Sequence, residues 1–157
     1  MPGSFDPITL GHVYLAERAC ALFDRVIVVA MTNAYKRSYL FTPEERLRLM
    51  RESLAHLPRV ETDYYDGMLY EYAERVGACA IVKGLRDLED AEYEMEMARY
   101  NNAHNPDAET VFIMASPQLA EVSSTAVKER TRRGESLDGM VAPPVAEALR
   151  NKISKEN

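Results

Sequence analysis

The chain has 157 residues, 46% of them apolar and 28% charged, with a formal net charge of -6, which fits a single domain, 1–157, able to bury a sizeable core. That acidity argues against a nucleic-acid partner, which needs a broad basic face. Apolar runs such as "RVIVVAM" and "TVFIMA" fall far short of the roughly 20 residues of a membrane span, and no signal-like segment opens the chain, so no membrane partner and a cytoplasmic location are expected.

Elements follow in chain order. The opening stretch "PGSFDPITLGH", residues 2–12, concentrates Pro, Gly, Asp and His and reads as a tight turn into a helix. Leu10 to Phe23 has helical spacing, with Val13, Leu15, Ala16, Ala19 and Phe23 near one face, and leads into an apolar strand, Val26 to Met31. Thr42-Pro43-Glu44-Glu45 is a helix start with a threonine cap, a proline in the first turn and a glutamate placed to bond back; Leu47, Met50, Leu54 and Leu57 supply its buried stripe. Val60 to Tyr64 is a weaker strand, Leu69 to Val76 a short helix, and Cys79 to Val82 a buried strand ending at "KGLR". A long helix is expected over Leu88 to Ala103 with Tyr93, Met97 and Tyr100 at helical spacing, then a strand over Thr110 to Ala115, a helix over Ser123 to Arg133, and a last helix over 143–153. Cys20 and Cys79 lack any Cys-x-x-Cys spacing and are expected as two buried thiols in a reducing compartment.

Strands joined by helices imply a Rossmann-like α/β fold, a doubly wound parallel sheet with helices on both faces, because parallel neighbours need a crossover. Ligands of such folds sit at the carboxyl ends of the strands. The polar stretches there are the opening turn, "TNAYKR", "KGLR" and "SPQLAEVSST". Lys36 with Arg37, Lys83 with Arg86, and the hydroxyls of Ser4, Ser123, Ser124 and Thr125 converge on one rim of an acidic protein, a rim that suits phosphates. Neither Gly-x-Gly-x-x-Gly nor Gly-x-x-x-x-Gly-Lys-Ser/Thr is present. Thr9-Leu10-Gly11-His12 stands instead at a helix start, where free N–H groups and the helix dipole favour an anion. Gly11 leaves room for close approach of a phosphate or a purine, and His12 adds a donor. His56 and His104 read as structural or surface residues, and no metal-ligand spacing is seen.

On these residues the sequence resembles the nucleotidyltransferases with a Thr/His-x-Gly-His motif, and within them the bacterial phosphopantetheine adenylyltransferases. "PGSFDPITLGH", "FTPEER", "VKGLR", "EYEM" and "VSSTAVKE" follow in that family's order at about its spacing. The resemblance implies transfer of an adenylyl group from ATP to 4′-phosphopantetheine, with magnesium on the ATP phosphates and a homohexameric assembly. It further implies that Ser4, Phe5 and His12 meet ATP, with His12 stabilising the transition state. Ser4, Lys36, Leu69 and Lys83 would line the phosphopantetheine pocket. Gly84, Leu85, Arg86 and Glu94 would continue the ATP site, and Leu119, Ala120, Glu121, Val122, Ser123, Ser124 and Thr125 would close over the nucleotide. Lys36, Lys83 and Arg86 join His12 as the groups assigned to catalysis. Two alternatives remain, another adenylyl- or cytidylyltransferase of the superfamily and a nucleotide-binding regulator without catalysis.

The chain departs from the family at three points. Lys83 stands where the family usually has arginine, a point charge in place of a bidentate fork. "LAEVSST" lacks the aromatic residue and serine that commonly precede the Ser-Ser run. The family carries a short apolar strand before the Pro-Gly, whereas here only Met1 precedes Pro2; either the sequence starts late, or the protein lacks a central strand and leaves its neighbours' backbone groups unpaired, and the first is expected.

Overall fold

A computed structural model describes residues 1–32 and 38–154, and strands and helices alternate along them. The elements are β1 (Pro2–Gly3), α1 (Leu10–Leu22), β2 (Val26–Met31), α2 (Pro43–Leu54), β3 (Val60–Tyr65), α3 (Leu69–Arg75), β4 (Ala80–Leu85), α4 (Leu88–His104), β5 (Glu109–Met114), α5 (Ser124–Arg132) and α6 (Pro143–Ile153). A 3₁₀ turn, Pro117–Leu119, lies between β5 and α5. Every strand pair is parallel. The sheet stands in two parts, β1-β2-β3 and β4-β5, with Val26 opposite Val60 in the first and Ala80 opposite Glu109 in the second.

β2 buries Val26, Val28, Val29 and Ala30, the continuous apolar run of a parallel strand covered on both faces. α1 packs on β2, and α2 on β2 and β3; α6 lies against α2 and α5. Val28 and Ala30 share one core with Leu49 and Met50 of α2, Val127 of α5 and Leu149 of α6. The capping box expected at Thr42 is formed: Thr42 Oγ1 accepts the Glu45 N–H at 3.3 Å and Glu45 Oε2 accepts the Thr42 N–H at 2.8 Å. The same glutamate takes the Lys152 ammonium of α6 at 2.7 Å, tying the last helix to the second.

The β4-β5 half has a much smaller core of its own, Ala73, Ile81 and Ala108. α4 packs on this half and on α3, and Asn101 is its one fully buried residue. Tyr93 and Tyr100, expected only to fall at helical spacing, are about half exposed, at 55% and 41%, because a two-stranded sheet offers too narrow a floor to cover the helix. Cys79 is also exposed, in contrast to buried Cys20: it stands ahead of β4, outside the strand ladder that begins at Ala80. β4 runs further than expected, with Lys83, Gly84 and Leu85 continuing the ladder to Phe112, Ile113 and Met114.

At the start of the chain, Pro2 and Gly3 pair with Val29 and Ala30. The Met1 amino group donates to the Ile27 carbonyl at 2.7 Å, and the Val29 N–H donates to the Met1 carbonyl at 3.0 Å. Burial, reinforced by the charge of Lys83, pushes this amino group down to about 5. Next to it lies a cavity of about 370 Å³, bordered by Ile27 and Val29 of one half-sheet and by Ala80 and Val82 of the other.

Candidate active site

The opening turn presents its groups through a backbone that few residues adopt. Phe5 has φ of +44°, in the left-handed region that disfavours a side chain. Its ring is buried and meets the His12 ring edge-on, with centroids 5.0 Å apart. Arg46 of α2, 1% exposed, donates to the Ser4 carbonyl at 2.8 Å and to the Met31 carbonyl at 3.4 Å. Its guanidinium lies 4.3 Å from the Tyr39 ring centre and 5.6 Å from that of Tyr64. A buried cation thus joins the ends of β1 and β2, a role that the motif "FTPEER" does not disclose.

Thr9 caps α1, and His12 occupies the third helical position. The Thr9 N–H donates to His12 Nδ1 at 3.0 Å, so the imidazole takes the place that a glutamate or glutamine usually has in a capping box. Nδ1 is thereby an acceptor, and in the neutral ring the proton sits on Nε2. Gly11 borders the cavity that the site residues surround, and it is also where α1 meets the segment after β5. A Cβ there would stand 3.3 Å from the Val122 carbonyl and 3.9 Å from that of Leu119, so its missing side chain admits the 119–122 backbone.

The second group comes from the end of β4 and the first turns of α4. Lys83 Nζ pairs with Glu94 Oε1 at 3.1 Å, both largely buried, while Glu94 Oε2 is buried with no hydrogen-bond partner among the described residues. Gly84 lies under α1, where any Cβ would collide with Leu15 Cδ1. Arg86 makes a two-pronged contact with Asp90, at 2.6 and 2.8 Å. That bond raises the Arg86 guanidinium and holds the Asp90 carboxyl below its usual range. Asp87 caps α4 by accepting the Asp90 N–H at 2.8 Å.

The third group follows β5. Ser123 caps α5 by accepting the Ala126 N–H at 3.1 Å, and Ser124 Oγ donates to the Pro7 carbonyl at 2.8 Å. Two of the hydroxyls expected to face phosphate thus have structural bonds as well.

These groups surround a cavity of about 450 Å³. Ser4, Phe5 and His12 border it from one side, Lys83, Gly84, Arg86 and Glu94 from a second, and Leu119, Val122, Ser123 and Ser124 from a third. Leu85, Ala120, Glu121 and Thr125 do not border it. Lys36 lies outside the described residues. Leu69 lines a neighbouring cavity of about 810 Å³ with Met68, Tyr100, Asn101 and Thr110. Lys83, Tyr93 and Glu94 border both spaces, so the Lys83–Glu94 pair stands at their junction. Asp90 and Tyr93 border the cavity without having been marked as site residues; for Asp90 the available signal was its place one turn before Glu94 on α4. Among the described residues no three His, Cys, Asp or Glu side chains gather as a metal site.

A cytidylyltransferase-like family model matches residues 1–130. Proteins named phosphopantetheine adenylyltransferase are similar over nearly the whole chain. The one from Caldanaerobacter subterraneus is 47% identical over 98% of this chain and 96% of its own. Those from Bdellovibrio bacteriovorus and Symbiobacterium thermophilum are 45% and 44% identical over 98% of this chain, and over 96% and 94% of their own. In fold, the chain matches a solved structure from Vibrio parahaemolyticus, assigned as a nicotinate-nucleotide adenylyltransferase. The TM-score is 0.73 at 18% identity, over 99% of this chain and 93% of that one.

Proposed function

This chain belongs to the phosphopantetheine adenylyltransferases of the cytidylyltransferase-like family, and from that membership we propose that it transfers the adenylyl group of ATP to 4′-phosphopantetheine, giving dephospho-coenzyme A and pyrophosphate. The observation that carries the reading is the junction at Lys83, where one cation borders two cavities. An acceptor phosphate at the mouth of the larger space would there face a nucleotide in the smaller one.

The acceptor phosphate is already a nucleophile near neutral pH, so the protein has to align it and stabilise charge. An oxygen of the 4′-phosphate attacks the α-phosphorus, and the bond from that phosphorus to the bridging oxygen of pyrophosphate breaks. Lys83, and by resemblance Lys36, hold the attacking phosphate; Ser4 and Leu69 complete the acceptor side. His12, through its Nε2 proton, and the N–H groups at the start of α1 stabilise the oxygens of the transferring group. Arg86 and Glu94, with Phe5, Gly84 and the 119–124 segment, hold the nucleotide. Magnesium would enter with the ATP phosphates, which would supply its ligands, since among the described residues no three His, Cys, Asp or Glu side chains gather to hold it.

A homohexamer is part of this reading. Leu88 and Met114, 85% and 63% exposed on the β4-β5 half, support self-association there. No described helix is long and apolar enough to cross a membrane, in keeping with a cytoplasmic place for the enzyme. The test is pyrophosphate release from ATP with three acceptors. Release should require 4′-phosphopantetheine and should fail with nicotinate mononucleotide and with glycerol 3-phosphate. Equal turnover with either substitute overturns the assignment.

A further inference from the structure

Behind the opening turn, one carboxylate ties three parts of the chain together. Asp6 is wholly buried. Its Oδ1 accepts the Phe41 N–H at 2.9 Å, and its Oδ2 accepts the Leu40 N–H at 3.1 Å and the Lys128 ammonium at 3.0 Å. Asp6 does not border the 450 Å³ cavity; the residues on either side of it in the turn, Ser4, Phe5 and Thr9, do. Lys128 lies one helical turn beyond Ser124 on α5, so the two share a face. Ser124 grips the Pro7 carbonyl while Lys128 grips Asp6, and α5 is held to the opening turn at two successive points.

We infer that Lys128, through Asp6, is a positioning residue for the nucleotide: the pair sets the spacing between the start of α1 and the 119–124 segment. The inference rests on the proposed function only in naming the nucleotide as ATP. A buried ion pair is a poor source of stability, because apolar side chains of similar volume often serve as well. Its strength is geometric, since Oδ2 must satisfy an ammonium and an amide together. The spacing matters because the two segments already touch, the site of a Gly11 Cβ being 3.3 Å from the Val122 carbonyl. A shift of α5 therefore reaches the first turn of α1 and His12. The Lys128 side chain, 19% exposed, takes part in this without bordering the cavity.

The test compares Lys128→Met with Lys152→Met, which breaks another lysine–carboxylate pair, to Glu45, away from the cavity. ATP affinity is measured by calorimetry, KM for both substrates by initial rates, and Tm by thermal unfolding. Lys128→Met should weaken ATP binding and raise its KM by about tenfold, as expected where small misplacements cost up to roughly 10²-fold, with KM for 4′-phosphopantetheine changed much less. Lys128→Arg should recover most of the loss. Lys152→Met should lower Tm and leave ATP affinity unchanged. Lys128→Gln, which keeps a donor without the charge, replaces the methionine variant if that does not fold, and should shift ATP affinity in the same direction. Unchanged ATP affinity in Lys128→Met or Lys128→Gln, or equal shifts in these and in Lys152→Met, overturns the inference. Wild-type protein that binds ATP but releases no pyrophosphate overturns the function and leaves this comparison intact; wild-type protein without ATP affinity overturns both.

Discussion

The Thr9 main-chain N–H donates to Nδ1 of His12 at 3.0 Å, so one imidazole closes the helix start with one nitrogen and directs its proton with the other. The two roles separate by substitution. His12→Ala should lower kcat by roughly 10²-fold or more, the loss typical of one preorganised donor, and also cost about 1 kcal/mol of stability through the lost cap. His12→Asn can keep an acceptor near the Nδ1 position and should keep Tm near wild type while losing kcat to a similar extent. Normal kcat with weakened ATP binding in either variant would show that His12 only binds.

Lys83 reaches only one oxygen of Glu94, and the other is buried with no hydrogen-bond partner among the described residues. An arginine offers a planar fork that a lysine lacks. Lys83→Arg should therefore tighten 4′-phosphopantetheine binding, read as a lower KM. Lys83→Met should raise that KM and lower kcat together, because it removes the cation from the junction and leaves Glu94 unpaired. A methionine variant with wild-type kinetics would remove Lys83 from the site.

Arg46 holds the carbonyls after β1 and β2 from a buried position. Arg46→Lys keeps the charge, but the shorter compact ammonium cannot span both carbonyls between two tyrosine rings. A loss of about 1–3 kcal/mol is expected for the unmet buried groups, with a lower urea midpoint as its measure. An unchanged midpoint would mean that the two strand ends hold each other without it.

The Met1 amino group has its pKa lowered from 8.0 to about 5. Between those pH values the unfolded chain carries the proton and the folded chain does not. Stability therefore rises as pH goes from 5 to 8 and is lost on acidification through the same window, by up to about 4 kcal/mol if the whole displacement is expressed. Urea midpoints across this range should show the slope. A short Val/Ala/Tyr-rich extension ahead of Met1 replaces the amine with an amide and offers side chains to the 370 Å³ cavity. Each one buried should contribute about 1.5–3 kcal/mol; the extended protein should melt higher, lose the slope and turn over faster. Equal melting temperature and turnover would show that the fold closes its sheet without such a segment.

Features written as local pattern were legible in the sequence. The Thr42 box needs only four adjacent residues, and the buried run of β2 only an apolar stretch, so both appear where expected. Ser4, His12, Lys83 and Arg86, read from the strand ends, and Phe5 and Glu94, implied by the resemblance, also meet around one cavity. What stayed hidden depends on distant partners. Asp6 and Lys128 are 122 positions apart, and Lys83 finds Glu94 on another element, so neither pair leaves a periodic mark. The exposure of Tyr93 and Tyr100 was illegible for a related reason, because helical spacing does not tell how wide a floor the helix will meet.

The division of the sheet has a bearing on how the protein breathes. The β4-α4-β5 half has a separate core of only Ala73, Ile81 and Ala108 and adds Val82, with Ile113 packed against it, to the main core, whereas the other half shares that main core with α1, α2, α5 and α6. Sub-global opening follows such boundaries, so the smaller half should exchange its amide hydrogens at a lower free energy than β2. Lys83, Arg86 and Glu94 all ride on that half. Substrates that touch both halves would close this opening, so the region of slowest exchange should widen as the site fills, before any bond is made.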